Sequence, residues 1–277
     1  NFLGLNKYYL INGSIRDAPI KLNPQLRIEK LLYNLYDEIV ANSYAGLKSF
    51  GQLDKEGRHV LYNAFDTNRV PFLSKKELRT NLKFDEKFTI VMVASMDSSK
   101  DQLTIIRAAN EIFNDNNDLD VQFYLIGDGP RKNHYEDQVK SLGIQRLINF
   151  TGIVDNVEEY FKASDLSVLT SASWHGEGIP NVVLESLACG TPVIATDNGG
   201  TKEILLHNYN GYLIKNGDYK DLANKLIFLK NNPDVLKSFS GKGVETVNNH
   251  FPTEKIIVEF ESIISSGINI DRKNYAV

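Results

Sequence analysis

Two glutamates, Glu177 and Glu185, stand with seven residues between them in the stretch GEGIPNVVLESLACGTPVIATDNGG, Gly176 to Gly200. Pro180 suits the first turn of a helix, where its missing N–H costs nothing. Gly190 suits the residue that ends one. A helix from about Pro180 to Cys189 is therefore expected, with Glu177 in the loop before it and Glu185 inside it. The first turn of such a helix has unpaired N–H groups and a partial positive charge, which together favour a bound phosphate. Two carboxylates also raise the question of glycoside hydrolysis. Eight steps along a helix come to roughly 12 Å, whereas a retaining pair needs about 5–5.5 Å and an inverting pair at most about 9.5 Å. Because Glu177 lies in the loop, the true separation stays open. The layout better suits two contacts along one extended ligand than a hydrolytic pair.

A cation stands elsewhere in the chain. Ser99-Lys100-Asp101-Gln102 reads as a capping box with Ser99 as N-cap. That reading puts Lys100 in a first helical turn, where the helix dipole disfavours it. Either Asp101 and solvent soften a small cost, or a diphosphate nearby needs the ammonium. The second is favoured, because local rules tend to break at functional sites. Gly127-Asp128-Gly129-Pro130 closes a strand; a tight turn suffices to explain it, although its glycines permit close ligand approach. Trp174 and His175 precede Glu177, and His175 is as readily a solvated loop residue as a contact to sugar or phosphate. Arg16 and Asp17 follow the first strand and are placed facing a cleft.

These groups need strands and helices in alternation to position them. Lys7 to Asn12 reads as a strand ending at Gly13, Pro24 to Tyr36 as a helix and Glu38 to Asn42 as a strand. A short helix opened by Ser43 and a strand from Arg58 to Asn63 follow. Ala64 to Phe84 reads as irregular and polar, and a boundary is placed there. A second series has strands at Phe88 to Ala94, Val121 to Ile126, Ile148 to Phe150, Leu166 to Thr170, Pro192 to Thr196 and Tyr212 to Ile214. Helices are expected at Lys100 to Phe113, His134 to Leu142, Val157 to Ala163, Pro180 to Cys189, from Thr201, and at Tyr219 to Leu229. Such alternation argues for an α/β fold with a doubly wound parallel sheet, whose ligands gather beyond the carboxyl ends of the strands. Past Phe251-Pro252, the residues Ile256, Ile257, Phe260, Ile263 and Ile264 share one helical face. The tail after Gly267 reads as loose.

The 277 residues correspond to about two domains. A net charge of −4 argues against nucleic acid as the main partner, since phosphate binding brings a basic excess. The single cysteine, Cys189, excludes an internal disulfide, fits a reducing, cytoplasmic compartment and reads as packing. No apolar run reaches the ~18 residues of a membrane span, and no basic-then-apolar leader opens the chain. The start, FLGLNKYYLING, reads as entering a sheet mid-fold, so a part of a longer protein is expected. A Rossmann oxidoreductase would need G-x-G-x-x-G after its first strand, and neither Val93 to Lys100 nor Tyr9 to Arg16 supplies it.

EGIPNVVLE followed by ACGTPVIATDNGGTKEI resembles the E-x7-E region of the retaining glycosyltransferases of family 4. VASMDSSKD, LIGDGP and FTGIVDNVEEYFKASDLSVLTS extend the resemblance in family order over most of residues 88 to 250, and NSYAGL and VLYNAFD resemble late strands of the family's N-terminal domain. The resemblance implies a GT-B fold with two facing Rossmann-like domains. Residues 1–66 would be part of the first, 67–86 a linker, 87–250 the nucleotide-sugar-binding domain, and 251–277 a crossover helix and tail. It implies that Glu185 accepts hydrogen bonds from the donor's ribose, an acceptor-only carboxylate fitting a diol, and that Glu177 lies by the donor sugar. Lys100 would meet the diphosphate. Gly178, Ile179, Pro180 and Asn181 would line the donor, with Gly127, Asp128 and Gly129 near it and Val154 meeting the base. Gly199-Gly200 resembles the family's glycine turn. Where the family has an arginine five residues before its lysine, this chain has Ser95, so either another cation such as Arg131 or Lys202 substitutes or leaving-group help is weaker.

The activity implied is transfer from a nucleotide diphosphate sugar, UDP by family habit, to a saccharide or lipid-linked acceptor in surface polysaccharide synthesis. No metal or other cofactor is expected, because no D-x-D pair or His/Cys cluster sits at the expected phosphate site. A cytoplasmic place is implied, with peripheral contact at the inner membrane face left open. Two readings compete with transfer: a fragment that binds nucleotide sugar without transferring it, and a sugar-nucleotide epimerase of the same architecture.

Overall fold

The computed structural model describes residues 11–115 and 120–274; the strand expected from Lys7 falls outside them as far as Leu10. The chain opens with β1 (Ile11–Ile15), α1 (Pro24–Leu32), β2 (Glu38–Ala41), α2 (Tyr44–Ser49) and β3 (Arg58–Val60). Local chemistry starts both helices. Asn23 accepts from the Leu26 N–H ahead of Pro24, and Ser43 accepts from the Gly46 N–H, each filling one of the donors a first turn leaves unpaired. The expected helix end at Tyr36 is a 3₁₀ turn, Tyr33–Leu35. The three strands run parallel in the order β1-β2-β3 over a small core of Ile15, Tyr33, Ile39, Ala41, Leu47 and Phe50.

The segment read as irregular holds two elements: a 3₁₀ turn, Thr67–Arg69, and α3 (Lys75–Asn81). Ser74 and Glu77 cap α3 reciprocally. The larger unit follows, with β4 (Phe88–Val93), α4 (Gln102–Asp115), β5 (Val121–Ile126), α5 (Lys132–Ser141), β6 (Ile148–Gly152) and α6 (Val157–Ala163). It continues through β7 (Leu166–Leu169), α7 (Asn181–Ala188), β8 (Val193–Thr196), β9 (Gly211–Ile214), α8 (Tyr219–Asn231), α9 (Pro233–His250) and α10 (Thr253–Asn274). All six strands pair in parallel in the order β6-β5-β4-β7-β8-β9. This is the doubly wound order, and the direction of winding reverses between β4 and β7. Both faces are covered, so Ile90, Val91 and Met92 of β4 are all buried in sequence, as a sheet sandwiched between helix layers requires.

Several local expectations are corrected. Ser99 does not cap α4, which begins at Gln102. Asp101 meets its first turn instead, accepting from Thr104 N at 3.3 Å and Thr104 Oγ1 at 2.6 Å. Lys100 is therefore outside the helix, and the dipole argument for it does not apply. From Gly199 there is only a 3₁₀ turn, Gly199–Glu203. The 18-residue α9 carries no counterpart in the sequence reading, and α10 continues through the tail read as loose, to Asn274.

The two units meet through polar contacts. Glu203 of the larger unit accepts from Tyr44 N at 2.9 Å and Ala45 N at 2.8 Å, covering the start of α2, and also from Tyr62 Oη at 3.2 Å. After α9 the chain returns to the connection between the units, where Phe65 N donates to Phe251 O at 2.9 Å.

Candidate functional site

The winding reverses between β4 and β7, so the loops after these two strands part from each other and leave a crevice. Here those loops are also stitched together. Lys100 and Ser171 form an antiparallel bridge, Asp101 N donates to Thr170 O at 3.0 Å, and Ala172 N donates to Ser99 O at 2.9 Å. The bridge, and not a helix, aims Lys100 at the loop that follows β7. A cleft of about 640 Å³ lies between the two units at this point. Its walls include Ser95, Lys100, Glu177 and Gly178 through Asn181 from the larger unit, and Arg16, Asn42 and Asn63 from the smaller.

Glu177 is the centre of the cleft wall and only 7% exposed. Its Oε1 accepts from Ser171 Oγ at 2.6 Å and from Lys100 Nζ, and His175 Nε2 stands at 3.7 Å, an ion-pair distance. Burial alone would raise its pKa. His175, the Lys100 charge and the Ser171 hydroxyl outweigh burial and hold the carboxyl at about 2. The site thus keeps a desolvated but ionised carboxylate. Ser171 is a partner the sequence reading missed; it is the third residue of LTS, just past a strand end, where ligand groups concentrate.

Ser95 lines the cleft, but its hydroxyl donates to Asp97 Oδ2 at 2.7 Å. Asp97 also accepts from Ser99 N at 2.7 Å and Ser99 Oγ at 2.6 Å. Burial pushes Asp97 up, and the hydrogen bonds from Ser99 and Ser95, with the Lys100 charge, bring it down to about 2. The hydroxyl that stands in place of an arginine is therefore occupied by a neighbouring anion. Arg131 and Lys202 do not line the cleft. Arg131 begins α5, its N–H on Met96 O, and Lys202 stands 3.8 Å from Asp197. The cations among the lining residues are Lys100 and Arg16.

Pro180 is the cap residue of α7, one position earlier than expected, and Gly190 ends the helix at φ +75°. Asn63 reaches across from the smaller unit, donating to Ile179 O at 3.0 Å and Asn181 Oδ1 at 2.6 Å. The glycines of this loop are close-approach residues. A Cβ on Gly178 would stand 1.9 Å from Arg16 O, and one on Gly176 1.6 Å from Ala18 O. Asn42 Oδ1, buried beside Gly178, has no hydrogen-bond partner among the described residues. Gly199, at φ +57°, would put a Cβ 2.0 Å from Glu177 O, and Gly200 N donates to that same carbonyl.

Glu185 lies further along α7 and does not line the cleft. Its side chain is 14% exposed and faces Arg69 of the connecting segment, Nη2 to Oε1 at 3.4 Å. Arg69 is shared with Glu158. Burial raises the Glu185 pKa, with Arg69 opposing and Glu158 adding to the rise. Glu185 is thus neither solvated nor joined directly to Glu177. Arg69 was not singled out in the sequence, since 116 positions separate it from Glu185 and no local pattern links them.

Gly127, Asp128 and Gly129 also sit outside the cleft wall. They pack on the loop after β4, where a Cβ on Gly127 would meet Ala94 O at 2.1 Å and one on Gly129 would meet Met96 O at 2.6 Å. Val154, just past the end of β6, packs against the buried cluster of Val91, Ile126, Phe161 and Cys189. Cys189 is buried, and burial lifts its thiol to about 12, as suits packing rather than reactivity. Among the described residues no group of three or more His, Cys, Asp or Glu side chains is arranged to hold a metal ion. No helix there is long and apolar enough to cross a membrane.

Comparison with known proteins adds to this geometry. The sequence pattern of the family described as glycosyl transferases group 1 matches residues 74–245. N-acetyl-alpha-D-glucosaminyl L-malate synthase of Bacillus anthracis is 28% identical over 241 residues, covering 85% of this chain and 61% of that protein. The lipopolysaccharide core biosynthesis glycosyltransferase LpsD of Rhizobium meliloti is 25% identical over 214 residues, covering 77% of this chain and 59% of that one. The chain thus spans about three-fifths of the length of these two relatives. Among solved structures, HepE of Anabaena in complex with UDP-glucose superposes with a TM-score of 0.84 at 24% identity, covering 93% of this chain and 72% of that one. Sucrose-phosphate synthase of Thermosynechococcus elongatus gives 0.79 at 21% identity, covering 91% and 63%. These likenesses show the GT-B fold, with three strands of the first unit and six of the second among the described residues.

Proposed function

The chain belongs to the glycosyl transferases of group 1, and from that premise we propose that its cleft binds a nucleoside diphosphate sugar, UDP being the nucleotide. The whole protein would pass the sugar, with retention of configuration as in family 4, to a saccharide or lipid-linked acceptor in surface polysaccharide synthesis. The observation that carries the reading is Glu177: an ionised, buried carboxylate paired with Lys100, at the winding reversal and just ahead of the N-terminus of α7. In this reading the diphosphate rests against the first-turn N–H groups of α7 near Pro180 and Asn181, with Lys100 and the exposed Arg16 as its cations. Glu177 and the unpaired Asn42 Oδ1 accept from hydroxyls of the donor sugar. Glu185 accepts from the ribose, and the backbone at Val154 meets the base. The names of the relatives and the UDP-glucose held by HepE support nucleotide-sugar chemistry.

The proposed step breaks the bond between the anomeric carbon and the β-phosphate oxygen, the electron pair leaving with the diphosphate. Lys100 and the α7 amides stabilise that departing charge. The acceptor oxygen bonds to the anomeric carbon from the same face, and its proton passes to the departing phosphate oxygen. The reading gives no part to a metal.

Calorimetry tests it. Glu185→Ala should weaken UDP binding about tenfold, the size of a lost charge-assisted contact to the ribose. Unchanged affinity would remove Glu185 from the site, and absence of UDP and GDP binding by the intact protein would overturn the reading. Lys100→Met should weaken UDP more than uridine; equal loss on both would take the diphosphate away from Lys100. A second reading, binding without transfer, draws on one observation: the Ser95 hydroxyl is taken by Asp97 and Lys100 is taken by Glu177. Donor binding without turnover by the full-length protein would favour it.

A further inference from the structure

A second cavity, of about 540 Å³, adjoins the first. Asp17 lines both, and the run His175-Gly176 in its wall continues directly into Glu177. The two units are in close contact along this seam, where Ala18 N donates to Gly176 O at 3.0 Å. Part of the wall is apolar, from Leu22 and Leu26. Trp174, the one tryptophan of the 277 residues and 56% exposed, lines the same cavity. Its loop is pinned: Asn198 Nδ2 donates to Ala172 O at 3.3 Å and to His175 O, and His175 N donates to Ala172 O at 3.0 Å. The loop that carries the indole is thus fixed, and the ring, with His175 edge-on at 5.8 Å, stays largely exposed, at a free-energy cost that an occupant would relieve.

The charges in the cavity favour one kind of occupant. Lys21 and Arg27 line it, and neither has an ion-pair partner among the described residues; Asp17 is the carboxylate among the lining groups. A purely apolar occupant would bury this excess of positive charge unpaired. A neutral sugar would use the indole and leave the cations idle. A sugar ring carrying a phosphate or a carboxylate uses both, the ring on Trp174 and the anion on Lys21 and Arg27.

We propose that this cavity is the acceptor subsite and that the acceptor is an anionic saccharide. The proposal rests on the donor reading above, since it places the acceptor's hydroxyl end at the junction of Asp17, His175 and Glu177. Trp174 and Arg27 become the determinants of acceptor choice, and they lie on opposite units, so the subsite exists only when both units are docked.

Trp174 is the one tryptophan of residues 1–277, so the part of the emission change that Trp174→Phe removes reports the cavity. The full-length protein is titrated with glucose 6-phosphate, glucuronic acid, glucose and inorganic phosphate, with and without UDP, up to about 10 mM. A saturable change in emission is expected for at least one anionic sugar, with affinity roughly tenfold above that for glucose or inorganic phosphate. Lys21→Ala and Arg27→Ala should each weaken that response about fivefold or more while leaving UDP affinity by calorimetry within about twofold. In Trp174→Phe the ligand-dependent change should be absent; an unchanged response there would place the anionic sugar away from this cavity and overturn the proposal. No response to either anionic sugar, or a response that survives the double variant of Lys21 and Arg27, overturns the proposal. An equal response to inorganic phosphate overturns its saccharide part. UDP affinity in the same samples separates the two readings. UDP binding without an indole response refutes the subsite alone, and an indole response in a protein without UDP affinity refutes its role as an acceptor site.

Discussion

At Glu177 two effects of opposite sign meet. Burial opposes the charge, and Lys100, Ser171 and His175 hold it; the partners win, at a pKa of about 2. The folded value lies below the ordinary 4.5, so ionised Glu177 stabilises the fold above that pH and the contribution disappears as pH falls towards 2. Urea midpoints followed from pH 7 to pH 2 should show this as a decline between about 4.5 and 2. Glu177→Gln, which leaves Lys100 without its counter-charge, should start lower at pH 7 and lose less over that window; parallel curves would show that Glu177 does not carry the effect. The glutamate pair itself was legible from spacing and from the proline and glycine around it. The ion pair with Lys100 was not, because 77 positions separate the partners and the lysine reaches Glu177 through a bridge between two loops. The capping-box reading of Ser99 pointed to Lys100 through a helix start that is not there: Asp97 takes the Ser99 hydroxyl, and Asp101 meets the helix.

Among the elements, α7 and the glycine turn after β8 act as one support. Gly199 lies against the Glu177 carbonyl with a positive φ, so Gly199→Ala combines a left-handed conformation with a backbone clash. It should cost at least about 2 kcal/mol of stability and disturb the Glu177 loop, read as a lower thermal midpoint and weaker UDP binding together. An unchanged midpoint would mean that the turn can relax without cost. The strands of the larger unit were legible because each is a short apolar run between turn residues. The helix α9 was not, since Gly241 and Gly243 weaken its helical signal. Gly243 is there for a tertiary reason: a Cβ would stand 2.8 Å from Leu187 Cδ2 of α7, so the glycine lets two helices approach. The short α3 did carry a local sign, Ser74 three residues before Glu77, which the polar residues and Pro71 around it obscured.

For the molecule as a whole, the two units meet through a few polar groups, through the Tyr62 and Phe251 rings at 5.3 Å, and through the close approach of Gly176 and Gly178 to the first unit. Glu203 holds two backbone N–H groups at the start of α2, on the other unit. Replacing it by alanine leaves those donors without their acceptor, and hydrogen bonds to a charged group contribute about 1.5–3 kcal/mol. Glu203→Ala should therefore raise amide exchange at Tyr44 and Ala45 by roughly ten- to a hundredfold, with the core strands of the larger unit unaffected. Exchange unchanged at α2 would show that other contacts fix the units. Arg69 lies on the chain that joins the two units, and its guanidinium is shared between Glu158 and Glu185, the second being the carboxylate proposed above to meet the ribose. Sugar hydroxyls that take the lone pairs now turned to Arg69 would displace a group anchored to the joint. Rotation at that joint and occupancy by nucleotide would then be competing claims on a single side chain, and reciprocity requires each to bias the other by the same free energy.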